Sequence, residues 1–434
     1  MMPGKITPFF FFFILAFLIT PFPVMGLEYP LHPAWEVPLV PSDNPANLSP
    51  VLHVAEEGRL ISLNYPYSPD FFVYDGNGSL LFNKTLTAEK IPWVSSITPV
   101  PDGTGIVITQ LVPGCCHGSV SNTTSNKVTF YDRSGRIVWD YVTYQPPLAS
   151  AVLPNTGDIV VGTEDGRIIG LDRNGSVRWT TVVDAPVLSF AASADGSTLV
   201  AAGDSNYDSW IHYGERLSPY DLFFLDGTGS VLGKYQTRGQ NTVAVSRNGS
   251  VIAVIGGRFG NLMMFNRTGT MTGERSFPGA GTALDISDDG TRLVVETSEG
   301  RVYALDGKMQ EIVSLPGEPG QRIAVSDTGD VLARGGNWNI TLYRIATGEN
   351  LGTVQAGSGV RFISAVPGTG SFVISTGQKM SFFTMTTGKP YQESVRDTAS
   401  PAGLPVTSTP FPEVVVITAL GVCSILHRVV NKGK

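Results

Sequence analysis

Cysteine, histidine and charge are all scarce in this chain. Three cysteines in 434 residues cannot build a disulfide framework, so an apolar core must hold any fold the chain adopts. Five histidines, His32, His53, His117, His212 and His427, leave few options for acid–base chemistry. No Ser/His/Asp constellation, phosphate-binding loop or paired-carboxylate motif stands out. Lysine and arginine number 30 against 37 aspartates and glutamates, and no stretch gathers the basic residues, which argues against nucleic acid as a partner. In place of charge stand 49 glycines and 30 prolines, about 18% of the chain against a usual ~12%. That composition suits a turn-rich all-β protein.

The two ends differ from the rest. Residues 1–26 hold one lysine, the apolar run PFFFFFILAFLIT and a small residue at Gly26, the layout of a secretory signal peptide; an uncleaved anchor is the other reading. Residues 396–413 contain DTASPAGLPVTSTPFPE, a stalk-like composition. Residues 414–430 form a 17-residue segment beginning VVVITALGVCSIL, close to the shortest length that spans a bilayer, and the basic tail at 431–434 follows it. Stalk, short apolar segment and basic end together resemble the C-terminal anchor tails of archaeal surface proteins. They imply an exported chain held at the cell membrane with residues 27–395 on the extracytoplasmic side. Eight N-x-S/T sequons fit export. Several are Asn-Gly-Ser within turns, where the backbone alone wants Asn and Gly, which leaves Asn47, Asn83 and Asn122 as the expected glycosylation sites.

Between the ends one pattern recurs: an apolar strand, Asp-x-x-Gly, then another strand. It reads FFVYDGNGSLLF, VTFYDRSGRIVW, IIGLDRNGSVRW, LFFLDGTGSVLG and LMMFNRTGTMTG, with weaker copies after these. A polar turn ending in glycine precedes each copy, at Gly58, Gly103, Gly157, Gly196, Gly249, Gly290, Gly329 and Gly370. The shortest intervals between these glycines are 39–41 residues, and each unit has room for four short strands joined by hairpins. A four-stranded sheet of that size buries its faces only against neighbours around a ring. The expected fold is therefore an all-β propeller of about eight four-stranded blades, with seven plus a degenerate unit as the alternative count. The segment AWEVPLV (34–40) is similar to the outer strand VRWTTVV and is expected to complete the last blade.

The Asp-x-x-Gly with a following tryptophan, clearest in LDRNGSVRWTT, resembles the repeats of quinoprotein-like (PQQ-like) propellers over roughly residues 34–395. The resemblance implies that Asp75, Asp132, Asp172, Asp226 and Asp306 shape turns and that the tryptophans seat between blades.

Two units break the regularity. The spacing from turn glycine to Asp-x-x-Gly glycine is 18–20 residues in most units, but 32 in the second and 33 in the fourth. Both extra segments fall between the second and third strands, so both belong on the face opposite the Asp-x-x-Gly turns, two blades apart. Elaborated loops on a regular scaffold are where function concentrates. The fourth unit carries DSNYDSWIHYGE, in which Asp204, Asn206, Asp208 and Glu215 match positions 1, 3, 5 and 12 of an EF-hand-type calcium loop. Ser209 stands where that motif needs glycine, so a polar surface loop with chance spacing is the competing reading.

The second unit carries Cys115-Cys116-His117. Adjacent cysteines can close only a strained eight-membered ring, and three consecutive ligands do not wrap a tetrahedral ion. A vicinal disulfide, a pair of free thiols and a copper-type site with distant ligands remain open. His117 and His212 lie one in each insertion and, with Trp210 and Tyr213, are candidates for a shared binding face. Two functions follow. One is a non-catalytic, membrane-anchored scaffold that binds a protein or glycan of the cell envelope. The other, implied by the resemblance, is an exported PQQ-dependent oxidoreductase with its cofactor against a vicinal disulfide; no recognisable calcium–PQQ ligand set or catalytic aspartate motif accompanies it.

Overall fold

The computed structural model describes residues 32–39, 50–65, 68–88, 92–112, 124–204, 219–238, 242–256 and 260–384. The signal segment, the stalk and the C-terminal apolar segment lie outside these residues. Among the described residues no helix is long and apolar enough to cross a membrane.

Eight four-stranded antiparallel sheets form the eight blades of a propeller. Blades 1 to 7 occupy residues 51–85, 93–142, 147–182, 187–238, 242–275, 281–315 and 322–355. Blade 8 combines 360–383 with Trp35–Pro38, which pairs along its outer strand from Trp35 opposite Phe382 to Pro38 opposite Lys379. The first and last strands of the ring thus close one sheet, as the match of AWEVPLV to an outer strand predicts. The count is eight, not seven.

Each blade runs from an inner first strand to an outer fourth strand, and the residue pattern explains the order. Second strands such as Leu60–Asn64, Ile159–Thr163 and Ile252–Gly256 are buried along their whole length, because neighbouring blades cover both faces. They read as unbroken apolar runs rather than alternations. Fourth strands such as Val177–Val182 alternate exposed and half-buried residues, as an outer strand with one covered face must. Eight apolar clusters result, one in each blade-to-blade seam; the seam between blades 1 and 2, for example, gathers Leu60, Phe71, Ile97, Ile106 and Ile108.

Two faces follow from this connectivity. The turns between first and second strands and between third and fourth strands share one face, the turn face. The opposite loop face carries the blade-to-blade connections and the links between second and third strands. The strand ends that bracket both insertions, at Leu111 and Lys127 in blade 2 and at Asp204 and Pro219 in blade 4, lie at the loop face.

Candidate functional site

The repeated aspartates are consumed by their own turns. One carboxylate oxygen of Asp75 accepts the backbone N–H groups of Asn77 and Ser79, and Asp132, Asp172, Asp226 and Asp306 repeat that pair of bonds two and four residues on. Asn266 does the same through its amide oxygen in blade 5. Hydrogen bonds from Ser134 and Arg136 hold the Asp132 carboxyl well below the usual carboxylate range, and the Gln310 N–H does the same for Asp306. A carboxylate fixed in this way is an acceptor, not a base.

The glycine three residues after Asp75, Asp132, Asp172 and Asp226 carries an aromatic side chain of the preceding blade, a place that Met309 takes after Asp306. Trp35 lies on Gly78, Phe82 on Gly135, Trp139 on Gly175 and Trp179 on Gly229. The indole N–H of Trp35 donates to Gly76 O at 3.0 Å, and that of Trp139 donates to Arg173 O at 2.8 Å. The motif therefore joins blades at the rim and contributes no site.

Charge gathers instead at the axis. On the turn face, the second residue after the inner strand is Glu56 in blade 1, Arg247 in blade 5, Asp288 in blade 6 and Asp327 in blade 7. Glu56, Arg247 and Asp288 rim a cavity of about 520 Å³ together with Asn155, Asp195 and Asp289. Arg247 reaches across the mouth to Glu56 at 2.7 Å and contacts Asp288 at 3.5 Å, so one cation bridges opposite sides of the ring. Burial raises the Asp288 carboxyl above its ordinary value. Deeper along the inner strands sit His53, lowered by burial to about 4, and Asp285, raised by burial to about 6. Asp285 accepts the Val325 N–H of the next inner strand at 2.8 Å. Among the described residues no three His, Cys, Asp or Glu side chains converge as a metal centre.

The loop-face end of the same axis is different. Arg322 is the first residue of the inner strand of blade 7 and Arg361 the second of that of blade 8, and Arg322 Nε donates to Arg361 O at 3.0 Å. Burial lowers the Arg322 guanidinium from its ordinary value; the Glu296 charge opposes this and the Arg361 charge adds to it. Glu296 is buried and spoken for, accepting the Gln321 N–H at 2.7 Å and the Thr282 hydroxyl at 2.8 Å.

Two exposed aromatics stand on this face, Trp338 at 65% exposure and Tyr144 at 57%. Tyr144 has a left-handed backbone (φ 63°) at the foot of the first insertion. There Asn126 accepts from Val112 N and donates to Tyr144 O, which ties the loop's base to the connection between blades 2 and 3. At the foot of the second insertion, Lys234 joins Asp184 at 2.8 Å and the buried Asp221 at 3.4 Å.

The sequence-based candidates fare unevenly. Asn83 is exposed on the outer strand of blade 1, accessible as a sequon requires. Asp204 ends the second strand of blade 4, at the start of the expected calcium loop. Asn47, Cys115, Cys116, His117, Asn122, Asn206, Asp208, Trp210, His212, Tyr213 and Glu215 lie outside the described residues, and so do the calcium and disulfide readings built on them. The axial charges and Trp338 are absent from the sequence-based set. The second residue after each inner strand was their only signal: E, R, D and D within EEG, RNG, DDG and DTG.

Known proteins bear on this arrangement. The family model described as "Outer membrane protein assembly factor BamB" matches residues 33–314. Among solved structures, BamB from Moraxella catarrhalis aligns with TM-score 0.55 and 15% identity, covering 82% of this chain and all of that one. The C-terminal WD40 domain of Sif2 aligns with TM-score 0.60 and 10% identity over 83% of this chain and all of that one. The Dos1 propeller gives 0.60 and 10% over 82% of this chain and 95% of its own. At these identities the structures share the fold alone. No curated protein sequence matches the chain. With a family match over more than half its length, in the very repeats whose aspartates and aromatics shape the blades, the chain belongs to the BamB-like family of PQQ-repeat propellers.

Proposed function

We propose that the protein is a membrane-anchored, extracytoplasmic, non-catalytic scaffold that binds a protein or glycan of the cell envelope through its loop face. One observation carries this reading. Both departures from the regular repeat open on the same face, two blades apart, and the exposed Trp338 and Tyr144 stand on that face as well. The repeated carboxylates that invite a catalytic reading are held by turn N–H groups instead. The family's description as an envelope assembly factor supports a protein partner. The expected anchor at 414–430 and the sequons support the membrane and the extracytoplasmic side.

Affinity capture from native membranes tests the proposal, using the full chain and variants in which 113–123 or 205–218 is replaced by a short Gly-Ser turn. Capture should fall with either replacement and survive Arg247→Met on the turn face. Equal capture by all three variants sinks the loop-face reading. Dye-linked substrate oxidation by the full chain loaded with PQQ and calcium would overturn the non-catalytic one.

A further inference from the structure

The loop-face end of the channel holds more positive charge than the chain answers. Arg322 and Arg361 lie together there, and the carboxylate that acts on Arg322, Glu296, is buried, within a protein whose net charge is −7. Both Glu296 oxygens already accept from neutral donors. Arg334 is buried and directed away from the channel, donating to Gln321 Oε1 and, at 2.7 Å, to Pro316 O. Arg322 spends its Nε on the Arg361 carbonyl, and the Arg361 guanidinium has no hydrogen-bond or ion-pair partner among the described residues. Half-buried guanidiniums left without a carboxylate are costly unless something outside the chain supplies one.

Beside them stands Trp338. Its carbonyl accepts Ala356 N at 2.7 Å, and Gly336 O accepts Val360 N at 3.1 Å, so its loop is strapped to the connection that leads into Arg361. An exposed tryptophan on a loop tied to the residue before Arg361 puts on one face two residue types enriched at interface hot spots. A small inorganic anion would leave that ring in water, whereas a peptide carrying carboxylates would cover it.

We propose that this end of the channel is an anion subsite for an acidic peptide segment of the protein partner. Arg361 and Arg322 are the donors to its carboxylates, and Trp338 packs against the segment's backbone. The planar fork of arginine matches a carboxylate with two parallel N–H···O bonds. The subsite rests on the loop-face reading above and specifies what that face recognises.

Calorimetric titration of the full chain in detergent tests it, using an N-acetylated, C-amidated hexapeptide with four glutamates and the same peptide with four glutamines. The glutamate peptide should bind, and its affinity should fall as salt rises. Arg361→Gln should weaken it roughly tenfold, Arg322→Gln by a similar factor and Trp338→Ser about fivefold, with no fall in the melting temperature of Arg361→Gln. Arg361 gives only its main-chain oxygen to Arg322, so Arg361→Gln leaves the framework intact. Equal binding of the glutamine peptide, or unchanged affinity in both arginine variants, overturns the subsite. Displacement of the peptide by an equal concentration of inorganic phosphate also overturns it, as a free-anion site. If membrane capture fails while the peptide still binds through the arginines, the scaffold reading falls and the subsite stands. If capture succeeds and the arginine variants bind like the parent, the subsite falls alone.

Discussion

The two halves of the ring are held together differently. Blades 8, 1, 2 and 3 each dock an aromatic side chain of the outer strand on a turn glycine of the next blade. Blades 4 and 5 carry Gly233 and Gly273 at that outer-strand position; Gly233 sits against the Thr268 carbonyl while the third-strand Phe224 takes the seat on Gly269 of blade 5, and Gly273 is filled by Met309 from blade 6. That arc is also joined at the axis. Ala194 N donates to Arg247 O, Arg247 N to Asp288 O and Asp288 N to Asp327 O, at 2.8, 2.8 and 3.0 Å. In blades 2, 3 and 8 the same axial position is Pro101, Pro154 or Pro367, which has no N–H to give. One half therefore seats outer-strand rings at the rim, and the other adds a run of three main-chain bonds at the axis with charges around it. A closed ring tolerates both, because each seam also keeps its own apolar cluster.

Substitutions should separate the halves by size of effect. The largest belongs to Gly175→Ala. Its backbone is left-handed (φ 80°) and a Cβ would meet Trp139 at 2.7 Å, so a loss of about 3 kcal/mol is expected in urea unfolding. Gly357→Ala, equally left-handed with nothing within 4 Å, should cost only about 1 kcal/mol. Equal losses would remove the aromatic seat as the cause. Next comes Trp139→Ala, expected at about 2 kcal/mol for a half-buried ring, against about 1 kcal/mol for Val313→Ala, the side chain seated on Gly348 in the other half.

The pH dependence should distinguish His53 in the first half from Asp285 in the second. Asp285 titrates near 6 folded and 3.8 unfolded, so its contribution is complete below about 4 and is lost as pH rises to 6. His53 titrates near 4 folded and 6.5 unfolded, so its contribution is complete above 6.5 and is lost as pH falls to 4. Both keep some surface toward the narrow channel, which cuts each effect to roughly 1–2 kcal/mol. Between pH 4 and 6 the two slopes oppose each other and the parent should be nearly flat. His53→Asn should gain stability on acidification across that window and Asp285→Asn should lose it; parallel curves for the two variants would refute the assignment. The smallest effect is Arg247→Met. Its ion pairs are more than a third exposed, so the loss should stay below about 1 kcal/mol and shrink further in salt.

Much of the fold was legible because its signals are local. An Asp-x-x-Gly turn is built by one carboxylate and two N–H groups within five residues, so Asp75 or Asp172 can be read without knowing its neighbours in space. The closing strand was legible too, since Trp35–Pro38 repeats the outer-strand pattern. The axial charges were not. Glu56 and Arg247 are 191 residues apart and look like ordinary turn residues until ring closure sets blade 1 opposite blade 5. Arg322 and Arg361 likewise stand at the start of two unremarkable strands. The aromatic seats were half legible: the repeat shows which blades have a tryptophan, but not that Met309 fills the place where blade 5 has glycine.

The sequence by itself determined the blade and the places where the repeat is interrupted, because hairpin turns and strand alternation depend on residues a few positions apart; the choice of eight blades over seven came with the closed ring. Only the tertiary structure decided which charges meet, which seams seat rings and which add main-chain bonds at the axis, and that one end of the axis is acidic while the other is basic. Those outcomes depend on closing a circle, and the distance across a circle is written in no single repeat.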